Sequence, residues 1–308
     1  MNIFQLRYIV ALDRYRNFVK AAESCGVTQP TLSSMIQKLE EELDVIIFDR
    51  SFHPVKPTRI GEKVIDQASV ILFNVDQMNE LIAEEKERGK GEIKLAVITT
   101  VAPYLLPNLF KFCKKNYPDI SLLTQEMTTV QIIEKLKKAE IDMAIAATPL
   151  IEPSLLEVPL YYEKFLVYIS PEDPLYKEEK IVASKMPLDN LWVLKEGHCL
   201  RNQIFNFCHK QASTSAIYEA GSIDTLIKIV DANGGYTVIP ELHVNFLSEK
   251  QKENIRSFTD PIPLREISLI IRKDFVREKM LNIIADAVKQ VIPSHMLDSK
   301  LKKFAIRL

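Results

Sequence analysis

Apolar residues fall into three regimes along this chain. Near the N-terminus Ile3, Leu6, Ile9, Val10 and Leu12 recur at helical spacing, and Phe18 to Cys25 forms a second helical stretch stopped by Gly26. The turn Gly26-Val27-Thr28 leads into a third helix predicted over Gln29 to about Leu43, with Thr28 placed as N-cap and Pro30 suited to the first turn. Leu32, Met35/Ile36, Leu39 and Leu43 form its apolar stripe. Thr31, Ser34 and Lys38 form a short polar stripe, with Gln29 and Ser33 beside it. Val45 to Thr58 then reads as two short strands around a proline-bearing turn.

From Thr58 to about Arg88 there is no proline, and Val64, Ala68, Ile71, Val75, Met78 and Ile82 alternate spacings of four and three. That seam is a coiled-coil pattern, on a helix reaching on the order of 40 Å. Gly89-Lys90-Gly91 marks its end. Beyond it, strands are predicted at 93–98, 120–125, 143–147, 165–169, 191–194, 236–239 and 267–271. Helices are predicted at 103–116, 130–138, 223–233 and 275–291. Such alternation predicts an α/β domain with largely parallel sheets, whose ligand crevices lie at the carboxyl ends of strands. The predicted domains are 1–58, 59–89 and 90–308.

Two short helices around a glycine turn, the second beginning with small hydrogen-bonding side chains, is the helix-turn-helix layout. An ordinary helical hairpin with solvated polar faces has the same spacing. In the first reading Gln29, Thr31, Ser33 and Ser34 reach base edges. Lys38, and Arg50, Lys56 and Arg59 around the wing, hold phosphates. A formal net charge of -1 neither announces nor excludes nucleic acid, because a local basic surface suffices. No apolar run approaches the roughly 20 residues of a bilayer span, and the N-terminus lacks a signal-peptide layout. A cytoplasmic location, without membrane association, is the expectation. Any disulfide there should be transient or regulatory.

The candidate chemistry lies in Glu196-Gly197-His198-Cys199-Leu200-Arg201-Asn202-Gln203 and Cys208. Leu200, Ile204, Phe207 and Cys208 share one face of a predicted short helix, which puts Cys199 at or near its N-terminus, where partial positive charge favours an anion. Three readings stay open on the residues alone. Both cysteines can be core residues, which is how Cys25 and Cys113 read; they can ligate a metal; or they can be a redox pair. The gap of eight residues does not match short zinc spacings, so no metal or cofactor is expected.

Ala21-Ala22, Gln29-Pro30-Thr31-Leu32-Ser33, Ile36, Leu39-Glu40, Leu43, Phe48 and Arg50 resemble the LysR-type bacterial transcriptional regulators, with Asp44 in place of the usual glycine and His53 where the wing often has a second arginine. The resemblance covers the full chain. It implies a winged helix-turn-helix domain contacting DNA through Gln29, Pro30, Thr31, Ser33, Ser34, Lys38, Arg50 and Arg59. A dimerising linker helix and a two-subdomain, periplasmic-binding-protein-like effector domain follow. Residues 193–203 with Cys208, together with Thr100 to Pro107, Thr128-Thr129 and Glu157 to Leu160, are similar to the peroxide-sensing members of that family. That similarity implies hydrogen peroxide as the signal and Cys199 as the oxidised nucleophile, with Cys208 as its disulfide partner. It also implies a peroxide pocket with Thr100, Thr129, His198 and Arg265, and control of oxidative-stress genes as an activator. The partners implied are a two-fold symmetric DNA operator, a second copy through the linker helix, a tetramer, and RNA polymerase. Two rivals are a LysR-type regulator of a metabolite, with incidental cysteines, and a cysteine hydrolase pairing Cys199 with His198. The hydrolase leaves the DNA-binding half without a purpose, and adjacent residues at a helix start point in different directions.

Overall fold

The computed structural model describes residues 1–86, 91–187, 190–207 and 219–298. Contacts divide the chain into two units, Met1–Arg88 with Lys137–Glu140, and Gly89–Leu136 with Ile141–Leu308.

In the first unit, α1 (Ile3–Tyr15) starts at a capping box made by Asn2 and Gln5, and α2 (Phe18–Ser24) is capped by Asn17. Helix α3 (Gln29–Leu43) is capped by Thr28, whose Oγ1 accepts from the Thr31 amide. Its C-cap, Asp44, is left-handed at φ 53°. A small polar side chain tolerates that conformation, which accounts for aspartate where the family has glycine. Leu32, Ile36 and Leu39 are buried against α1 and α2, whereas Leu43, expected on the same stripe, is exposed. The wing is β1 (Phe48–Asp49) paired antiparallel with β2 (Lys56–Pro57).

Thr58 begins α4 (Arg59–Lys86) by donating to the Ile46 carbonyl while accepting from the Gly61 amide. A side chain at Gly61 would collide with the Ile47 carbonyl, so glycine is required for this close approach. The early part of the expected seam turns inward, with Ala68 in the core of this unit and Val64 packed against it. Further along, Ile71, Met78 and Ile82 are exposed, with Ile71 at 41%. The linker helix is thus shared between its own domain's core and an uncovered apolar edge.

The second unit has two lobes. The first contains β3 (Gly91–Ile98), α5 (Ala102–Asn116), β4 (Ile120–Met127), α6 (Thr129–Lys137) and β5 (Met143–Thr148). Strand β6 (Leu155–Ile169) runs from it into the second lobe. That lobe adds β7 (Lys180–Ile181), β8 (Val193–Leu194), α7 (Cys199–Phe207), β9 (Glu219–Ala220), α8 (Ile223–Asn233), β10 (Tyr236–Pro240), α9 (Glu249–Lys252) and β11 (Ile255–Phe258). The chain returns through β12 (Leu264–Arg272) and ends its described part with α10 (Glu278–Val291) and a 3-10 turn.

The sheet order is β4-β3-β5-β12-β6-β11-β7, with β10 also on β6. It is more mixed than the expected largely parallel arrangement. β3 pairs parallel with β4 and β5, but β12 is antiparallel to both β5 and β6, and β10 and β11 are antiparallel to β6. Strand β6 is far longer than the predicted 165–169 segment. Pro159 sits where the register with β12 shifts, and a proline is admissible in a strand at such an irregularity. Its first section therefore does not read as a strand in sequence. The segment expected as a strand at 191–194 is reduced to β8 and a bridge from Leu191 to Tyr236.

Candidate peroxide site and DNA-binding face

Strand β3 ends at Ile98 and its parallel neighbour β4 at Met127, and these two residues are register partners. The turns that follow, Thr99-Thr100 and Thr128-Thr129, are therefore side by side at the carboxyl edge of the first lobe. In this class of sheet, ligand crevices lie at that edge. From the second lobe, Gly197 approaches the same edge: a Cβ there would lie 3.9 Å from Thr128. Gly197 has φ +93°, a conformation that disfavours other residues, and this turn delivers His198 and Cys199. His198 Nδ1 and Thr99 Oγ1 are hydrogen-bonded at 3.1 Å, linking the lobes.

Cys199 is the first residue of α7, as expected, and is only 6% exposed. Among the described residues its sulfur makes no hydrogen bond, and His198 uses Nδ1 on Thr99 rather than on the thiol. The pairing needed by a cysteine hydrolase is thus not formed. Cys208 lies outside the described residues.

Arg265, on β12, is completely buried and surrounded by partners. Nε and Nη2 donate to Glu163 Oε2 at 2.9 and 2.7 Å. Nη1 donates to Thr100 Oγ1 at 2.9 Å, and Nη2 also reaches the Thr100 carbonyl and Tyr104 hydroxyl at 3.0 and 2.7 Å. Burial opposes the guanidinium charge. The Tyr104 and Glu163 groups, then Tyr161 and Cys199, act the other way and hold its pKa above the ordinary arginine value. Glu163 is pushed up by burial, against the pull of Arg265 and the Leu242 amide. Arg265 thus supplies a fixed positive charge within electrostatic range of Cys199.

Other buried groups on these segments and on β6 are unusual in what they lack. His198 Nε2, Thr129 Oγ1, both polar atoms of Gln203, and the Tyr161 hydroxyl are buried without a hydrogen-bond partner among the described residues. Burial, followed by Lys195, depresses the His198 pKa, so its imidazole is neutral around pH 7. Gln203 follows Cys199 by four residues, hence on the same side of α7. Buried polar atoms are nearly always satisfied, so orphans on the residue before the thiol, one helical turn after it and at the Thr128-Thr129 turn mark places for water or a small polar ligand. Of the residues expected at the site, His198 and Thr100 connect through bonds to the same edge, and Thr129 follows Thr128 there. Glu163 and Tyr104 were not anticipated as site residues. The signal for Glu163 is its charge within the apolar run Leu160 to Ile169. Tyr104 follows Thr100 by four residues.

On the DNA-binding unit, Gln29, Pro30, Thr31, Ser34, Lys38 and Arg59 are exposed and Ser33 is half-buried. Thr31 Oγ1 is bonded to Thr28 Oγ1 at 2.9 Å, so it shares in the helix cap. Arg50 pairs with Glu40 at 3.0 Å and lies over the Phe18 ring. Glu40 in turn accepts the Ile47 and Phe48 amides. Arg50 therefore braces the wing as well as offering an exposed cation.

A helix-turn-helix followed by a two-lobed α/β effector unit defines a class, and the sequence comparison agrees. Residues 3–62 match the bacterial regulatory helix-turn-helix protein, lysR family, and residues 86–292 match the LysR substrate binding domain. The chain belongs to the LysR family of DNA-binding transcriptional regulators. It is 35% identical to the hydrogen peroxide-inducible genes activator of Haemophilus influenzae, over 95% of this chain and 99% of that protein. It is 32% identical to the DNA-binding transcriptional dual regulator OxyR of Escherichia coli, over 98% and 99%. Among solved structures, a full-length OxyR variant from Pseudomonas aeruginosa superposes with a TM-score of 0.77 at 31% identity, covering 94% of this chain and 98% of that one. Among the described residues no helix is long and apolar enough to cross a membrane.

Proposed function

We propose that this protein is a cytoplasmic transcriptional regulator that senses hydrogen peroxide through Cys199. The observation that carries the reading is the buried Cys199 with unpartnered polar atoms on the adjacent His198, on Gln203 one turn along α7, and on Thr129 in the turn that Gly197 approaches. Peroxide is small enough for an enclosed site, and its oxygens both donate and accept hydrogen bonds. The Cys199 thiolate attacks one oxygen. The S–O bond forms as the O–O bond breaks, sulfur gives two electrons to peroxide, and the departing hydroxide takes a proton and leaves as water. The Cys199 sulfenic acid then condenses with the Cys208 thiol, forming the disulfide and releasing a second water. Thr100 and Thr129 orient the peroxide and neutral His198 adds a hydrogen-bonding edge. Arg265 holds the Thr100 hydroxyl through Nη1.

The output is DNA binding by the helix-turn-helix, with Thr31, Ser33 and Ser34 towards bases and Lys38, Arg50 and Arg59 towards phosphates. Pairing of two copies along the exposed edge of α4 presents two recognition helices to a two-fold operator. Tetramer formation and contact with RNA polymerase complete an activator of oxidative-stress genes. Thiol trapping with mass spectrometry before and after micromolar peroxide is the test. Cys199 is expected to be oxidised first and then joined to Cys208, and Cys199→Ser to silence a peroxide-responsive reporter. A reporter response that survives Cys199→Ser would return the protein to the metabolite-sensing regulators.

A further inference from the structure

Glu163 and Arg265 are register partners on β6 and β12, on the last rungs before β6 enters the second lobe. Both are completely buried. Each oxygen of the Glu163 carboxylate has a different duty. Oε1 accepts the Leu242 amide at 3.0 Å, from the second lobe, while Oε2 accepts both Nε and Nη2 of Arg265. A carboxylate held from both lobes fixes the plane of the guanidinium, and that plane aims Nη1 at Thr100 Oγ1. A hydroxyl has one proton and two lone pairs. With a lone pair occupied by an obligate donor, the Thr100 proton must point away from Arg265.

We infer, resting on the peroxide reading above, that Glu163 is a positioning residue for the sensing reaction: it orients Arg265 so that the Thr100 hydroxyl is constrained to donate into the Cys199 pocket. Glu163 touches neither the thiol nor the peroxide in this account. In Glu163→Gln a single oxygen must serve either Leu242 or Arg265, and the new amide donor faces another donor. The guanidinium is then free to turn, and Thr100 loses its enforced direction. The thiolate itself keeps a nearby cation, now without its counter-charge.

The test measures two second-order rate constants of Cys199 in the full-length protein, one with hydrogen peroxide and one with iodoacetamide, each followed as a pH profile. Alkylation reports the thiolate alone, whereas the peroxide reaction also needs the oriented donor. Glu163→Gln is expected to slow the peroxide reaction on the order of tenfold to a hundredfold, with alkylation unchanged or faster. Glu163→Asp, which keeps the charge on a shorter arm, should fall between. In a Thr100→Val background, Glu163→Asp should have no further effect on the peroxide rate, because the hydroxyl it acts through is gone. Equal losses in both reactions, an unaltered peroxide rate, or independent multiplying effects in the double variant would overturn the inference. Should Glu163→Gln fail to fold, the Asp series and its Thr100→Val cycle decide alone. A wild-type Cys199 that alkylates but meets peroxide no faster than a free thiol removes the sensing reading and this inference with it. A fast wild type with indifferent Glu163 variants removes only the inference.

Discussion

Gln203→Leu should lock α7 in its reduced form. Leu200 and Ile204 are fully buried in the core of the second lobe, contributing about 1.5–3 kcal/mol each, or roughly 3–6 kcal/mol together. Between them Gln203, also fully buried, has no partner for either polar atom among the described residues. Each such atom costs about 1–3 kcal/mol when no water or ligand meets it, which offsets part of that burial. A disulfide needs Cα atoms within about 7 Å. Cys199 and Cys208, nine residues apart on a continued helix, would be separated by roughly 13 Å. Where the helix continues to Cys208, closure requires α7 to open. Leucine removes the orphan amide and keeps a similar volume, which should raise the opening free energy by about 2 kcal/mol and slow closure about thirtyfold. Hydrogen exchange over residues 200–207 reads the opening. Quenched thiol trapping after a peroxide pulse reads closure, and a sulfenic-acid trap separates the first oxidation step from it. In the native protein, exchange in this stretch should rise on oxidation, and Cys208→Ser should abolish the rise. Unchanged protection in the Leu variant, or closure as fast as native from the same sulfenic acid, would refute the reasoning.

Three further outcomes are expected. Arg265→Met leaves Glu163 buried and uncompensated, destabilising the effector unit by about 3–5 kcal/mol at neutral pH, while the pair Arg265→Met with Glu163→Met recovers much of it. Glu163 is already raised by burial, and losing Arg265 raises it further. A folded pKa above the unfolded one gives stability that is present below the unfolded value and lost as pH rises through the folded value, so the single variant should recover on acidification. Urea unfolding followed by Trp192, the only tryptophan, reads this unit, and a deficit that is flat with pH would refute it. Arg59→Ala, exposed at the first residue of α4, should weaken operator binding across sequences and reduce the salt slope by about one, with an unchanged slope removing it from the phosphate contacts. Ile71→Asp should dissociate the dimer in sedimentation, and an intact dimer that still binds an operator would place the interface elsewhere.

The N-terminal helices were legible because caps and periodicity agree: Asn17 and Thr28 stop and start the chain where the apolar spacing changes. The start of α7 at Cys199 was legible from the apolar spacing that begins behind it. The first part of β6, residues 155–164, was not, since a proline and three charges interrupt its apolar run, and only pairing with β12 makes it a strand. The grouping of Glu163 with Arg265 is likewise invisible locally, because register across about a hundred residues of intervening chain creates it. The orphan atoms of Gln203 and Thr129 are a property of packing, and spacing carries no trace of which buried amide finds a partner.

Lys164 and Leu264 face each other across β6 and β12, so the second lobe, residues 165–263, leaves and rejoins the first at adjacent points. It is an insertion with neighbouring ends, the geometry that tolerates transplantation of a whole module. Exchanging this lobe between relatives at that junction would preserve every rung of the first. The graft would bring its own cysteine and its own neighbours of that cysteine, while the arginine, its glutamate and the threonine turns would stay with the host. In such a hybrid the thiol and the cation come from different parents, and inheritance of the lobe alone need not transmit the reactivity of its cysteine.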